Sequence, residues 1–467
     1  MRRCLLVVLA TAALGTAGGG VASAHPLGNF TINHYAGLAI RPDAVTVDYV
    51  IDMAEIPTFQ ERSEIDRDGD GMLSGAELAA YATARCDALR SGLSLRVDAG
   101  GLALSVVSGT AALPLGQAGL NTLRLECAYR TALDPATAAQ SRLLEFADTN
   151  YAERIGWREI TARGDGVRLD TALPSESASA RLTAYPQDLL SSPLNVRGGS
   201  VHFAGGPTAN SAPIRGPGVA PATDGRPTDL LASLIGQGEL SPFGLAAAFL
   251  IAFGLGILHA LSPGHGKTVM AAYLVGTSGS RRQALVLGPV VALSHTAGVL
   301  LLGALTLTAS WLIPPERLYP YLSILAGVIV LGLGLTLAVR RIGAHRHGHD
   351  HSHVGTTAAA LGWRPLVALG LSGGIVPSAS ALLLLLGAIH FDRIGLGLGL
   401  ILTFGFGMAA TLVGIGLALV GATRLAQGVT SGHRLLGRVL RLMPELTALL
   451  VLLFGVGMTA QALATIL

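Results

Sequence analysis

The sequence predicts a multi-pass α-helical membrane protein of six main spans, preceded by an extracytoplasmic, mainly β domain with an EF-hand-like insert. Apolar runs of about 20 residues, enough to cross roughly 30 Å of hydrocarbon, recur from Ser241 onward. The chain is 51% hydrophobic and only 13% charged, about half the charge of an average soluble protein, and its mean hydropathy is +0.55. The residues before Ser241 read instead as soluble sequence, with short alternating stretches broken by Gly and Asp. A net charge of +3 without an aromatic-studded basic patch excludes nucleic acid as a partner.

Residues 1–24 have the form of a secretory signal: Arg2-Arg3, an apolar stretch from Cys4 to Ala13, then Ala22-Ser23-Ala24 before His25. Cleavage there would free an amine beside the His25 imidazole, with His34 further on as a candidate exterior metal ligand or an ordinary strand histidine. Residues 25–190 predict a sandwich-like module, with strands at Phe30–Ile40, Ala44–Ile51, Ser94–Asp98, Leu123–Tyr129, Arg142–Ala147, Val167–Leu169 and Ala180–Ala184. A helical insert, Glu55–Arg90, interrupts them. Inside it, Asp66-Arg-Asp68-Gly-Asp70-Gly71-Met72-Leu73-Ser74-Gly-Ala-Glu77 has the order of an EF-hand loop. Asp66, Asp68 and Asp70 would ligate Ca²⁺ first, Met72 through its carbonyl, Ser74 through water, and Glu77 with both oxygens, while Gly71 makes the sharp turn. Cys86 and Cys127 would share an exported domain, where a disulfide is permitted; spacing alone leaves that bridge open. Residues 191–240, rich in Gly, Pro, Ser and Ala up to 228, read as a flexible linker and pre-membrane segment.

The main spans are expected at 242–261, 284–309, 319–339, 365–389, 394–421 and 443–465. The apolar stretch 268–278 is too short to cross alone and reads as re-entrant, or as part of a broken first span. Loop charge tests this count through the positive-inside rule. With the N-terminal module outside, the inner loops hold Lys267, Arg281, Arg282, Arg340, Arg341, Arg346, Arg364, Arg424, Arg434, Arg438 and Arg441, whereas the outer loops hold only Arg317 and Arg393. A full crossing at 268–278 would destroy that bias. Six spans divide into three plus three, and an odd number per half inverts the second. Inverted-repeat transporters often bind substrate at paired Gly/Pro-broken helices. The candidate breaks are Ser262-Pro-Gly-His-Gly266 and Gly373-Gly-Ile-Val-Pro377.

His259 and His265 flank the first break, and Pro263-Gly264 is expected to redirect the chain so that both imidazoles face one ion. His295, in the second span, could add a third nitrogen. Histidine is costly in hydrocarbon and is the commonest ligand for transition metals; the bland alternative is that each one bonds a neighbouring helix. Gly266-Lys267-Thr268 lacks the glycine a phosphate loop needs, since position 261 is Leu261. Lys267 reads as an anchor at the inner interface or as a gating group. The loop 340–364 carries His345, His347, His349, His351 and His353 at every second position, a compositional metal-binding tract on the cytoplasmic side.

On these residues the chain resembles the nickel/cobalt efflux transporter family of the NicO type, over about residues 240–467. The likeness rests on His259-Ala-Leu-Ser-Pro-Gly-His-Gly-Lys-Thr268, Ser294-His295-Thr296, the histidine-rich loop, and Gly373-Gly-Ile-Val-Pro377-Ser-Ala-Ser-Ala381. It implies a bacterial inner-membrane carrier that exports Ni²⁺ and Co²⁺. The family pattern is expected to carry Pro-Cys-Pro in the fourth span, where this chain has Pro377-Ser378-Ala379, so a soft sulfur ligand is lost there. The reading is a metal exporter rather than an enzyme, since neither a His-Glu-x-x-His site nor a nucleophile constellation is present. Its partners are a divalent cation and the lipid bilayer, with homo-oligomerisation left open. The alternatives are uptake through the same site, or a membrane sensor or metallochaperone that moves nothing.

Overall fold

In the computed structural model, residues 28–205, 241–308, 315–346, 363–429 and 434–464 are described, apart from positions 99, 135–140, 187–188, 190–191, 263–266, 268–269, 272 and 275–279. They group into two compact units: Met1–Ala54, Ala82–Thr110 and Leu125–Gly218 in one, and Glu55–Tyr81, Ala111–Arg124 and Val219–Leu467 in the other.

The first unit follows from period-2 patterning. β1 (Ile32–Ile40) pairs antiparallel with β2 (Ala44–Met53), Ile32 opposite Met53 and Ile40 opposite Val45. Its other edge pairs in parallel with β8 (Arg158–Gly164), which buries β1 almost throughout. Further strands are β3 (Leu93–Val97), β4 (Gly100–Gly101), β5 (Ser105–Ala112), β6 (Leu123–Ala132), β7 (Arg142–Asp148), β9 (Val167–Asp170) and β10 (Gly198–Gly205). They form two five-stranded sheets, ordered β5-β6-β2-β1-β8 and β4-β3-β7-β10-β9.

Two local readings are corrected. Ala180–Ala184 is not a strand: Ala180, Arg181 and Leu182 are all left-handed, with φ of 47°, 58° and 67°. The Glu159 carboxylate anchors this turn, accepting from Ser179 Oγ at 2.5 Å, and Ser179 Oγ in turn accepts from Leu182 N at 3.0 Å. Conversely, residues 198–205, which composition assigns to the linker, form β10, because Val201 and Phe203 point inward and are fully buried. β5 and β8 are also absent from the sequence reading.

Cys86 and Cys127 are joined, with their Cα atoms 5.6 Å apart. His34 sits in β1, only 2% exposed. Its Nδ1 is 2.8 Å from Asp148 Oδ2, which also accepts from Tyr49 Oη at 2.9 Å. Burial pushes the His34 pKa down against the opposing pull of Asp148. His34 is therefore a structural link between the two sheets, not an exterior ligand; His25 lies outside the described residues.

In the second unit, α1 (Glu55–Ile65) and α2 (Gly75–Arg90) flank the acidic loop; only the start of α2, to Tyr81, belongs to this unit. The fully described helices that follow are α3 (Pro242–Leu261), α4 (Arg281–Thr308), α5 (Pro315–Arg346), α6 (Trp363–Gly374), α7 (Ala379–His390), α8 (Ile394–Val429) and α9 (Arg434–Ala464). Five of these, α3, α4, α5, α8 and α9, contain segments long and apolar enough to cross a membrane, and they make the chain a multi-pass membrane protein. The expected fourth span is two short apolar helices, α6 and α7, separated at Ile375–Ser378.

Without a hydrophobic force between helices in lipid, close approach needs small residues, and glycine supplies it here. α3 and α8 touch where a side chain on Gly256 or Gly407 would overlap the carbonyl of Phe404 or Phe253 respectively. α4 crosses α8 with Gly288 against Val413 and Ala409, and Gly405 against Thr296. α4 lies along α6 and α7 through Gly370 on Val290, Gly374 on Ser294, Gly298 on Pro377 and Gly303 on Leu385. α5 meets α9 through Gly327 on Thr459 and Gly334 on Leu452.

Candidate metal path

α3 begins with Ser241, whose hydroxyl accepts from Gly244 N, and with Pro242 in its first turn, where a missing N–H costs nothing. It ends at Leu261, leaving His259 in its last turn. Terminal carbonyls at membrane depth need partners, and the chain supplies them. Ser262 Oγ donates to the His259 carbonyl at 2.7 Å. Lys267 Nζ donates to the same carbonyl and, at 3.2 Å, to that of Ser262. Lys267 thus covers the negative end of the α3 dipole beside His259.

His295 lies in the middle of α4 and is 5% exposed. Its ring centroid is 5.2 Å from that of His259. Phe404 of α8 closes the group, 5.5 Å from the His259 ring and stacked at 6.4 Å on the His295 ring. The break between α6 and α7 reaches the same place. Ser378 caps α7, accepting from Ala381 N at 3.4 Å. Its hydroxyl lies 3.1 Å and its backbone N–H 3.4 Å from His295 Nε2. Two donors on that nitrogen leave it an acceptor, with the ring proton on Nδ1. The lone pair that Ser378 engages is the one a metal ion would take.

The structure therefore brings together His259, His295 and Ser378, which lie on three separate stretches of sequence. Pro377 is buried at the break and touches the Gly298 position of α4. Pro263, Gly264 and His265 lie outside the described residues, as do His347, His349, His351 and His353; His345 belongs to the end of α5. Phe404 escaped the sequence reading, since an aromatic residue in an apolar span carries no distinguishing signal. A cavity of about 190 Å³ lies beside His259, lined by Leu255, Leu258, His259, Ser380, Leu384 and Phe404 among others.

In the acidic loop, one oxygen each of Asp66, Asp68 and Asp70 lies within 4.8 Å of the others. Gly71 has φ 80° and its N–H bonds Asp66 Oδ2 at 3.0 Å. Glu77 reaches back across the loop, accepting from Arg67 N at 2.9 Å and from Ser74 N and Oγ at 2.9 and 2.8 Å. Ser74 and Glu77 form a capping box that starts α2. The Ser74 backbone N–H, ahead of the other bonds, holds the Glu77 carboxyl below its ordinary range.

No protein-family model and no solved structure matches the chain. Among curated relatives, a protein of Methanocaldococcus jannaschii bearing the provisional name nickel/cobalt efflux system MJ1092 is 32% identical over 206 residues, 44% of this chain and 89% of its own length. The nickel/cobalt efflux system RcnA of Shigella flexneri is 28% identical over 254 residues, 44% of this chain and 89% of the relative. RcnA of Escherichia coli is 28% identical over 246 residues, with 88% of the relative covered. With nearly the full length of the archaeal protein matched at that identity, and an intramembrane histidine pair at a broken helix, the chain belongs to the nickel/cobalt efflux family.

Proposed function

We propose that this protein carries Ni²⁺ and Co²⁺ out of the cytoplasm of a bacterium across its inner membrane, with His259 and His295 as the ion's protein ligands at the midpoint of the path. The observation that carries the reading is the convergence of two imidazoles and the Ser378 hydroxyl at the ends of two interrupted helices. Imidazole suits both metals. Serine in place of the family's expected cysteine offers oxygen rather than sulfur. The ion displaces the Ser378 donors from His295 Nε2 as it sheds water, and moves on through the cavity beside Leu255 and Leu258.

Six crossings with both termini outside give the most economical arrangement, with α6 and α7 together as the fourth. The packing supports an inverted repeat of three plus three. α3 runs parallel to α8, and α4 parallel to α6 and α7; α4 is antiparallel to α8, and α5 to α9. Exchanging first with fourth, second with fifth and third with sixth leaves those four pairings unchanged, while the contacts of α7 with α8 and of α5 with α6 have no comparable exchanged counterpart among the described residues. The inner side then carries Lys267 and the His345, His347, His349, His351 and His353 tract, which gathers ion before export. Pro263-Gly264 and His265 complete the inner approach, and Pro377 fixes the second break.

The signal-like residues 1–24 and the Cys86–Cys127 bond support an extracytoplasmic N-terminal part. Its acidic loop fits Ca²⁺ by donor chemistry: three converging carboxylates, a left-handed Gly71, and Glu77 lying across them, with Ser74 and the Met72 carbonyl in the remaining ligand positions. Bound calcium would fix the bend between α1 and α2. Glu77→Gln is expected to weaken calcium binding at least about tenfold, read by calorimetry on the detergent-solubilised protein; unchanged affinity sinks the assignment.

The transport test uses proteoliposomes with oriented protein and radioactive nickel. Flux from the His345–His353 side to the opposite side is expected. Flux only in the reverse direction would make the protein an importer, and binding without flux would make it a sensor or metallochaperone.

A further inference from the structure

Resting on the path proposed above, we propose that the tight turn Gln117–Gly119 is the outlet stopper of the metal path, held in place by Glu55 of α1, and that nickel or cobalt leaves only when this turn withdraws. A turn joining β5 to β6 is ordinarily exposed, yet Ala118 is 6% and Leu120 2% exposed. Ala118 lines the same cavity as His259. Its carbonyl faces Gly387 of α7 so closely that a Cβ there would lie 2.6 Å from the oxygen. Of the other lining side chains, Leu255, Leu258, Ala381, Leu384 and Phe404 offer an ion no ligands and Ser380 offers a single hydroxyl, so the turn is the part that moves when a cation leaves.

The turn is also held in an unusual conformation. Ala118 has φ 54° and ψ 28°, a region that L-residues with a Cβ rarely adopt, and such residues persist where the surroundings over-determine them. Here Glu55, itself fully buried, accepts the Gln117 N–H at 2.9 Å. Gly116 N donates to the Leu120 carbonyl at 2.8 Å, and Leu120 N to that of Gln117 at 3.0 Å. The helix that Glu55 opens also carries Arg62, which bonds both the Gly71 carbonyl of the acidic loop and His390 Nδ1. α1 therefore grips α7 at its outer end as well as through the turn. The opposite end of α7 is capped by Ser378, which touches His295.

A reversible lock tests this. A Cβ built on Gly387 lies 3.7 Å from the Ala118 Cβ, within the range that disulfides use. Ala118→Cys and Gly387→Cys are combined in a full-length chain with Cys4→Ser, reconstituted in proteoliposomes and assayed for radioactive nickel flux. The oxidised protein is expected to lose at least tenfold in flux and to recover on mild reduction, while each single-cysteine chain responds to neither treatment. Equal flux in the oxidised and reduced states, with the cross-link proven by peptide mass spectrometry, overturns the stopper alone. Failure of the two thiols to cross-link, although each reacts with maleimide, overturns it as well. No flux in any state, wild type included, removes the transport reading and the stopper with it. Glu55→Ala provides an independent arm: a loosened turn is expected to raise flux at least about threefold, and a flux equal to or below wild type counts against the hold.

Discussion

His259→Ala and His295→Ala are each expected to reduce nickel flux by at least about a hundredfold, with expression and thermal stability of the detergent-solubilised protein close to wild type. The size follows from the chemistry of the site. The rings stand 5.2 Å apart between centroids, Phe404 fills one side, and the wall leading away is mostly hydrocarbon. An ion entering that space must exchange water for protein donors, and removing one of two imidazoles leaves little to compensate dehydration. Losing only an outer-shell partner typically costs 10–100-fold. Ser378→Ala, which removes the hydroxyl and keeps the N–H on His295, belongs to that lesser range. Normal flux through either histidine variant, measured by radioactive nickel accumulation in proteoliposomes, would sink the ligand assignment.

The second large effect is expected away from any ligand. Gly374→Val abolishes transport while leaving an inserted protein. A Cβ at 374 would overlap Ser294 Oγ and the Val291 carbonyl and lie 2.9 Å from His295 N. Overpacking of this kind costs about 1–3 kcal/mol, tolerable for a large helical unit. The geometric consequence is heavier, because α6 must back away from α4 and carry the break at Ile375–Ser378 with it. A shift of about 1 Å takes Ser378 out of bonding range of His295, and small misplacements of this size can cost about a hundredfold. Gly332→Ala is the control, since a Cβ there meets nothing within 4 Å. The prediction fails if Gly374→Val and Gly332→Ala transport alike.

Sequence patterning carried the helical half well and the β half less well. Hydropathy locates the apolar segments of α3, α4, α5, α8 and α9 to within a few residues, because lipid imposes one length and one composition on all of them. The break between α6 and α7 was legible as Gly373-Gly-Ile-Val-Pro377, but not that its end would meet His295: Ser378 and His295 lie 83 residues apart, and only helix packing joins them. His259 and His295 could be singled out because histidine has few reasons to sit in hydrocarbon. Phe404 could not, and neither could Ala118, whose flanking Gly116 and Gly119 announce a turn without saying what it touches. β5 lacked large alternating residues, reading Ser-Val-Val-Ser-Gly-Thr-Ala-Ala. β10 was masked by the glycines around Val201 and Phe203. Ala180–Ala184 has strand-like composition, but the Glu159 carboxylate bends it, and no local rule anticipates a bond from a distant strand.

The capping box of α2 has a consequence for how the acidic loop lives with its surroundings. Glu77 and the aspartates already receive amide protons from Arg67, Gly69, Gly71 and Ser74, and Arg62 holds the Gly71 carbonyl, so much of the curvature of that segment is built by the protein's own groups. The insert therefore carries its own scaffolding, and if it takes up calcium as proposed above, removing the ion is expected to leave that curvature in place.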